Sequence, residues 1–344
     1  NAMGERIGFV IGWIIIFSAI ISASTVAVGF GNYLGVIFNI PSIYSAIVLI
    51  TVLSVILFIG IKQSAWVAIL FTSIEALGLL IIFFIGIPYY GTVNYFEMPL
   101  GLNGVFASAA LIFFAYLGFE EIVKLSDETN EPNKNIPLAI ILAMVISTLL
   151  YILVAFSSVS ILGWEALADS TAPFSQIAFT ALGPNGSFLL SVIALFATSN
   201  TVLLLLLAGS RIVYGMAASN SLPLILRKVH PRTRTPWISI IVVGIVAIAF
   251  LFLGNLGFLA SATNYTLFLS FIFINASVVI LRYTSPELNR PFRIPLNIKN
   301  LPLLPVFGLI TCIILLLQLS FNAIGLGIAI TVIGIILAFI WQKQ

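Results

Sequence analysis

The chain is poor in charge. Fourteen Lys and Arg with eleven Asp and Glu make up 7% of its 344 residues, against about 25% in an ordinary soluble domain. Hydrophobic side chains reach 61%, where roughly 45–50% is usual, and the mean hydropathy is +1.21. So few charges cannot cover the water-facing surface of a 37.2 kDa globule, which excludes a soluble fold. A chain lying mostly in hydrocarbon needs very few.

Histidine and cysteine are scarcer still, with His230 and Cys312 the single examples. A zinc, haem or iron–sulfur centre built from such side chains needs several, and a disulfide needs two cysteines. No metal site and no cofactor are expected. Nor is an enzyme expected, because His230 lies in a loop among other cations, far in sequence from any buried Ser it could activate. A formal net charge of +3 could suggest a nucleic-acid partner. In so apolar a chain, however, basic residues more simply mark the cytoplasmic loops, and no nucleic acid is expected.

What the chain has in abundance is long apolar runs. A membrane-spanning helix needs about 20 mostly apolar residues. Ten runs of suitable character lie between charged or Pro/Gly-rich breaks, at residues 7–34, 42–60, 64–87, 102–124, 137–163, 187–208, 237–254, 256–281, 302–319 and 322–341. The first is too long for a secretory h-region and lacks a cleavage-site flank. The expected fold is therefore all-α: a polytopic membrane protein of ten transmembrane helices forming a single domain over residues 1–344.

The charges sort with these runs. Arg6, Lys62, Lys124, Lys134, Arg211, Arg227, Lys228, Arg232, Arg234, Arg282, Arg290, Arg293, Lys299 and Lys343 all fall in one set of alternate gaps, whereas the other set holds Glu97, Glu165 and Asp169. By the positive-inside rule this predicts a multi-pass protein of the plasma membrane with both termini cytoplasmic. Pro137 is expected at the start of the fifth helix. A short interfacial helix is expected on the outer side between Gly163 and Gly186. The basic stretch Arg227-Lys-Val-His-Pro-Arg-Thr-Arg234 reads as an orientation determinant, or as a contact for anionic lipid or a regulator.

Polar groups deep in a span are costly, so they are the informative ones. Glu75 stands near the middle of the third run, as a proton-relay or coupling group, a cation ligand, or a neutral acid hydrogen-bonded to a neighbouring helix. Thr198-Ser-Asn-Thr201 lies midway along the sixth run, where such oxygens either coordinate a small cation or substrate, or merely bond back to the preceding turn. Asn264, Tyr265, Thr266 and Asn275 are a more scattered group of the same kind. In the fourth run Gly118 follows Phe113-Phe-Ala-Tyr-Leu, a weak point at which the span can become discontinuous and expose backbone amides. The first run carries a small-residue stripe, Ala19, Ala23 and Ala27 beside Ser18 and Ser22, suited to close helix packing or to lining a narrow substrate path.

These residues carry a family resemblance. Phe114-Ala-Tyr-Leu-Gly-Phe-Glu120, followed by Glu128-Thr-Asn-Glu-Pro-Asn-Lys-Asn-Ile-Pro-Leu-Ala-Ile140, resembles the sixth helix and following loop of the amino acid–polyamine–organocation permeases. Gly4-Glu-Arg-Ile-Gly-Phe-Val-Ile-Gly-Trp13 through Tyr33 resembles that family's third helix. Glu75-Ala-Leu-Gly-Leu79 with Gly86 resembles its fifth, and Ser210-Arg-Ile-Val-Tyr-Gly-Met216 with Leu222-Pro223 the end of its eighth. The resemblance implies two inverted five-helix repeats with two further helices. Substrate is then held where the first and sixth helices unwind. It also implies that the ten runs correspond to the family's third to twelfth helices, the first two being missing.

On this correspondence Phe114 matches the aromatic that shutters the site, and Ala115, Tyr116 and Gly118 fall on the unwound segment, with Ser22 as a further substrate contact. Ser199 and Asn200 fall near the cation position of sodium-coupled relatives. Glu75 stands where a proton-coupled member places a lysine. The resemblance thus implies a secondary transporter for an amino acid or amine, working by alternating access and coupled to a proton or sodium ion in a lipid bilayer. The alternative is a truncated, non-transporting permease fragment or a membrane scaffold.

Overall fold

The computed structural model describes residues 3–60, 65–119, 122–123, 129–287, 290, 292 and 294–341. Glu120, Glu121 and Glu128 of the motifs above, with Lys62, Lys124, Arg293 and Lys343, lie outside the described residues.

Within them the chain is a succession of helices: α1 (Glu5–Phe38), α2 (Ser42–Ile59), α3 (Ala65–Gly86), α4 (Gly101–Ile112), α5 (Pro132–Asp169), α6 (Pro173–Leu182), α7 (Pro184–Ala218), α8 (Trp237–Phe250), α9 (Leu256–Thr284), α10 (Leu303–Leu317) and α11 (Phe321–Trp341). Among the described residues seven are long and apolar enough to cross a membrane, and three shorter apolar helices, Gly101–Tyr116, Trp237–Phe250 and Leu303–Leu317, fall where the other three expected runs lie. The remaining helix, α6, is the short one expected between Gly163 and Gly186. The link before α10 holds a two-stranded hairpin, Asn297–Ile298 (β1) antiparallel to Leu301–Pro302 (β2).

Helix ends depart from the sequence reading where a local cap overrides hydropathy. The fifth helix starts at Pro132 and not at Pro137, since proline suits a first turn whose N–H groups have no intrahelical partner. Pro137 is accommodated inside it. At Gly163 the same helix breaks, with φ 75° and ψ 161°, a backbone geometry open to glycine. The fourth α-helix stops at Ile112, short of the expected residue 124, and continues as a tighter 3₁₀ turn over Phe113–Tyr116.

The helices fall into two compact units. One comprises Asn1–Ser18, Met98–Ser147 and Ala260–Gln344; the other, Ala19–Glu97 and Thr148–Leu259. In the first unit Ala110, Tyr265, Phe268, Cys312 and Leu319 form the buried cluster, and α4 packs on α10. Trp13 Nε1 donates to the Ile330 carbonyl at 3.0 Å, tying the start of α1 to α11. In the second unit α7 is the central helix, packed against α2, α3, α6 and α8. Its core includes Ile82, Val154, Ile177, Ala178 and Leu190.

Small residues set the helix spacing in the second unit, because between helices in lipid close van der Waals packing replaces the hydrophobic effect as the driving force. Ala19, Ala23 and Ala27 are buried, and a Cβ placed on Gly209 of α7 would lie 3.4 Å from that of Ala19. Ser24 Oγ lies 2.8 Å from the Ala247 carbonyl of α8. Gly86, at the end of α3, is tighter: a Cβ there would come within 2.9 Å of Ser157 Cα, a backbone atom that cannot swing aside. Gly86→Val is therefore expected to destabilise the protein by about 1–3 kcal/mol. Gly215→Ala, which faces open space in α7, should be neutral or slightly stabilising. Thermal unfolding of the two variants in detergent checks the contrast.

Candidate functional site

The middle of the second unit contains a carboxylate–amide pair. Asn200 of α7 donates from Nδ2 to Glu75 Oε1 of α3 at 3.2 Å. These two candidates lie 125 positions apart in sequence and are brought into contact by the packing of α3 on α7. Among the described residues the one ion pair is Lys134 with Glu131, so Glu75 has an amide and no cation as its neighbour. Asn200 suits either state of the acid: its NH₂ donates to a carboxylate, and its carbonyl oxygen accepts from a carboxylic acid after the amide turns over.

The same packing separates the members of Thr198-Ser-Asn-Thr201. Thr198 Oγ1 donates to the Ala194 carbonyl at 2.7 Å, Ser199 Oγ to Leu195 at 2.6 Å and Thr201 Oγ1 to Ala197 at 3.0 Å. Their protons are committed to the preceding turn of α7, while their lone pairs remain acceptors. Beside Glu75 lies a cavity of about 330 Å³ lined by Tyr33, Gly78, Leu79, Phe174 and Thr198 among others. That volume is at the small end of ligand pockets. Glu75 is the one acidic residue on its wall, so a proton, a small cation or an ammonium group is what the cavity's charge suits.

The first unit contains the interrupted helix. Where α4 gives way to the 3₁₀ turn, the regular i to i+4 ladder changes, and the Leu111 carbonyl accepts from the Phe113 N–H. Asn264 of α9 supports the junction: its Nδ2 donates to the Ala110 carbonyl at 2.7 Å and to the Leu111 carbonyl at 2.9 Å. The Asn264 side chain is fully buried, and among the described residues its Oδ1 has no hydrogen-bond partner. An acceptor thus stands beside the break. Of the candidates here, Phe114, Ala115 and Tyr116 lie on the 3₁₀ turn, and Gly118 follows with φ 110°. Phe113, which the sequence reading passed over, is the aromatic that locks the turn, its ring 4.9 Å from Phe268 and 6.1 Å from Phe271. Ser22 belongs to the second unit, where it is fully buried in α1 beside Ala23.

Three residues of this description had weak signals in the sequence. Asn264 was one polar residue in a scattered group, Phe113 one of 28 phenylalanines, and Tyr33 simply the end of a motif. Only the contact each makes distinguishes it. Replacing Asn264 with Leu, similar in volume, leaves two carbonyls without that donor and is expected to cost about 1–3 kcal/mol. Hydrogen–deuterium exchange should then accelerate at residues 110–118 while α8 keeps its protection.

Comparison with known proteins agrees with this architecture. A family model described as amino acid permease matches residues 1–341. The branched-chain amino acid permease BcaP of Bacillus subtilis is 27% identical over 99% of this chain and 77% of its own length. The methylthioribose transporter of the same organism is 30% identical over 90% of this chain and 71% of its own. The vacuolar cationic amino acid transporter 4 of Arabidopsis thaliana is 28% identical over 83% of this chain and 52% of its own. All three are named as transporters or permeases. With nearly every residue matched by the family model and its helices laid out as the motifs implied, the chain belongs to the amino acid permease family and is a multi-pass membrane transporter for amino acids or related compounds.

Proposed function

We propose that this chain carries an amino acid or related amine across the plasma membrane by alternating access, and that proton or sodium movement is coupled to transport through Glu75. The observation that carries the proposal is the Glu75–Asn200 contact beside a cavity in the middle of two long apolar helices. An acid at that depth, without a cation beside it, gains most by exchanging a proton or holding a positive ion, because a bare carboxylate in hydrocarbon is costly. Asn200 can partner both states, which lets the acid change protonation without leaving a buried group unsatisfied. Ser199, bonded back to the Leu195 carbonyl, is a weaker candidate for the cation, since of residues 198–201 the one lining that cavity is Thr198.

Substrate is assigned to the helix break. Phe114, Ala115, Tyr116 and Gly118 lie on it, and the dipoles of an interrupted helix favour a carboxylate or an ammonium group beside the break. The named relatives handle branched-chain amino acids, methylthioribose and cationic amino acids, so the substrate class of this chain is an amino acid or a compound of that size. The sorting of all fourteen basic residues into alternate links supports an orientation with residues 5 and 341 on the cytoplasmic side.

Uptake of radiolabelled amino acids into proteoliposomes across a series of pH values tests this reading. The wild-type chain is expected to show pH-dependent uptake, and Glu75→Gln to flatten that dependence while retaining the folded elution profile. A Glu75→Gln profile matching wild type removes Glu75 from coupling. If the wild-type chain is folded yet takes up none of the twenty common amino acids, the transport assignment fails.

A further inference from the structure

A second, larger cavity of about 1170 Å³ occupies the second unit, sharing no lining residue with the one at Glu75. It is bounded by the end of α2, the last turns of α7 and the loop leading into α8. Three arginines line it, Arg211, Arg232 and Arg234, together with Tyr214, and among the described residues no Asp or Glu does. Among the described residues none of the three guanidinium groups has an ion-pair or hydrogen-bond partner, whereas elsewhere Arg290 reaches three carbonyls and Arg6 lies 4.8 Å over the Phe339 ring. Like charges gathered around one space, with no acid beside them among the described residues, attract an anion strongly.

The loop that supplies two of them is held in place. Thr235 Oγ1 donates to the Phe58 carbonyl at the end of α2 at 2.9 Å, His230 N donates to the Thr235 carbonyl at 2.9 Å, and Arg234 N returns to the His230 carbonyl at 2.9 Å. Thr233 Oγ1 lies 2.7 Å from Thr235 Oγ1 and 3.2 Å from His230 Nδ1, and the His230 ring stands 5.1 Å from that of Phe58. Arg234 itself is kept in the left-handed region, φ 56°, which a free loop would rarely choose. An orientation signal needs only the positive charge, in any conformation. A fixed turn aimed around a cavity is what binding needs, because less ordering entropy opposes the ligand.

We infer that this cavity is a binding site for a phosphate-bearing anion, either the headgroup of an anionic lipid or a soluble phosphate compound. Guanidinium groups match phosphate oxygens in paired hydrogen bonds, and the space exceeds what a single orthophosphate fills. Its apolar wall, including Leu57, Leu203, Leu207 and Ile240, suits the glycerol and first methylenes of a lipid.

Two arms distinguish the sources. The chain is placed in nanodiscs of phosphatidylcholine with and without phosphatidylglycerol, and retained lipid is read by native mass spectrometry; in parallel, its thermal unfolding in detergent is followed against inorganic pyrophosphate. Selective retention of phosphatidylglycerol assigns the lipid source, and a pyrophosphate-dependent rise in unfolding temperature assigns the soluble one. In either arm R211Q/R232Q/R234Q should weaken the apparent affinity at least about tenfold, and R282Q, outside the cavity, should leave it unchanged. Should the triple variant fail to fold, R232Q alone should weaken it about threefold. Absence of both effects in the wild-type chain, or effects of equal size in the arginine variants, overturns the assignment.

Discussion

The constraint on which everything else rests is that a backbone amide in hydrocarbon has no water to turn to. It makes the long apolar runs helical, since a helix satisfies its own N–H and C=O groups, and it makes every interruption of a helix a site that some other residue must serve. Where α4 stops being an α-helix at Ile112, the carbonyls of Ala110 and Leu111 accept from the buried Asn264 amide. The break is therefore a built feature of the first unit, set by one side chain from α9 and held by the rings of Phe113, Phe268 and Phe271.

The second unit meets the same constraint with side chains. Small residues along α1 and α7 let backbones approach, as at Ala19 and Gly209, and the hydroxyls midway along α7 turn back on their own helix. One group cannot be satisfied that way. Glu75 is too polar to face lipid and too short to reach the ends of α3, so it is met by Asn200 across the helix interface. An acid paired with an amide keeps a hydrogen-bond partner whether it is ionised or protonated.

Charge scarcity turns the remaining charges into markers. Where a soluble protein would scatter its arginines over a wet surface, this chain gathers Arg211, Arg232 and Arg234 around one cavity and ties the loop that carries two of them to the end of α2. In so apolar a molecule such a concentration gives the two cavities opposite character. Among the described residues one is lined by a single acid, Glu75, among mostly apolar side chains, and the other by three arginines and no acid.

Hydrophobic length, the sorting of Lys and Arg, and a handful of motifs were sufficient to place this protein in a membrane, to divide it into ten apolar helices and to point to the amino acid permeases. Those features are local and additive, since hydrocarbon acts on each segment separately. Glu75 could also be singled out, because a lone acid in an apolar run is improbable whatever surrounds it. Asn200 was put forward beside Ser199 as a cation ligand, but that Asn200 and not Ser199 meets Glu75 depends on which way each side chain points on α7. Asn264 was equally hidden: that an amide caps a broken helix depends on another helix, 153 positions earlier, ending beside it. What the sequence determined by itself was therefore whatever the bilayer reads one segment at a time, and what only tertiary structure decided was every pairing between polar groups on different helices, because such pairings depend on the rotation and depth of two packed helices at once.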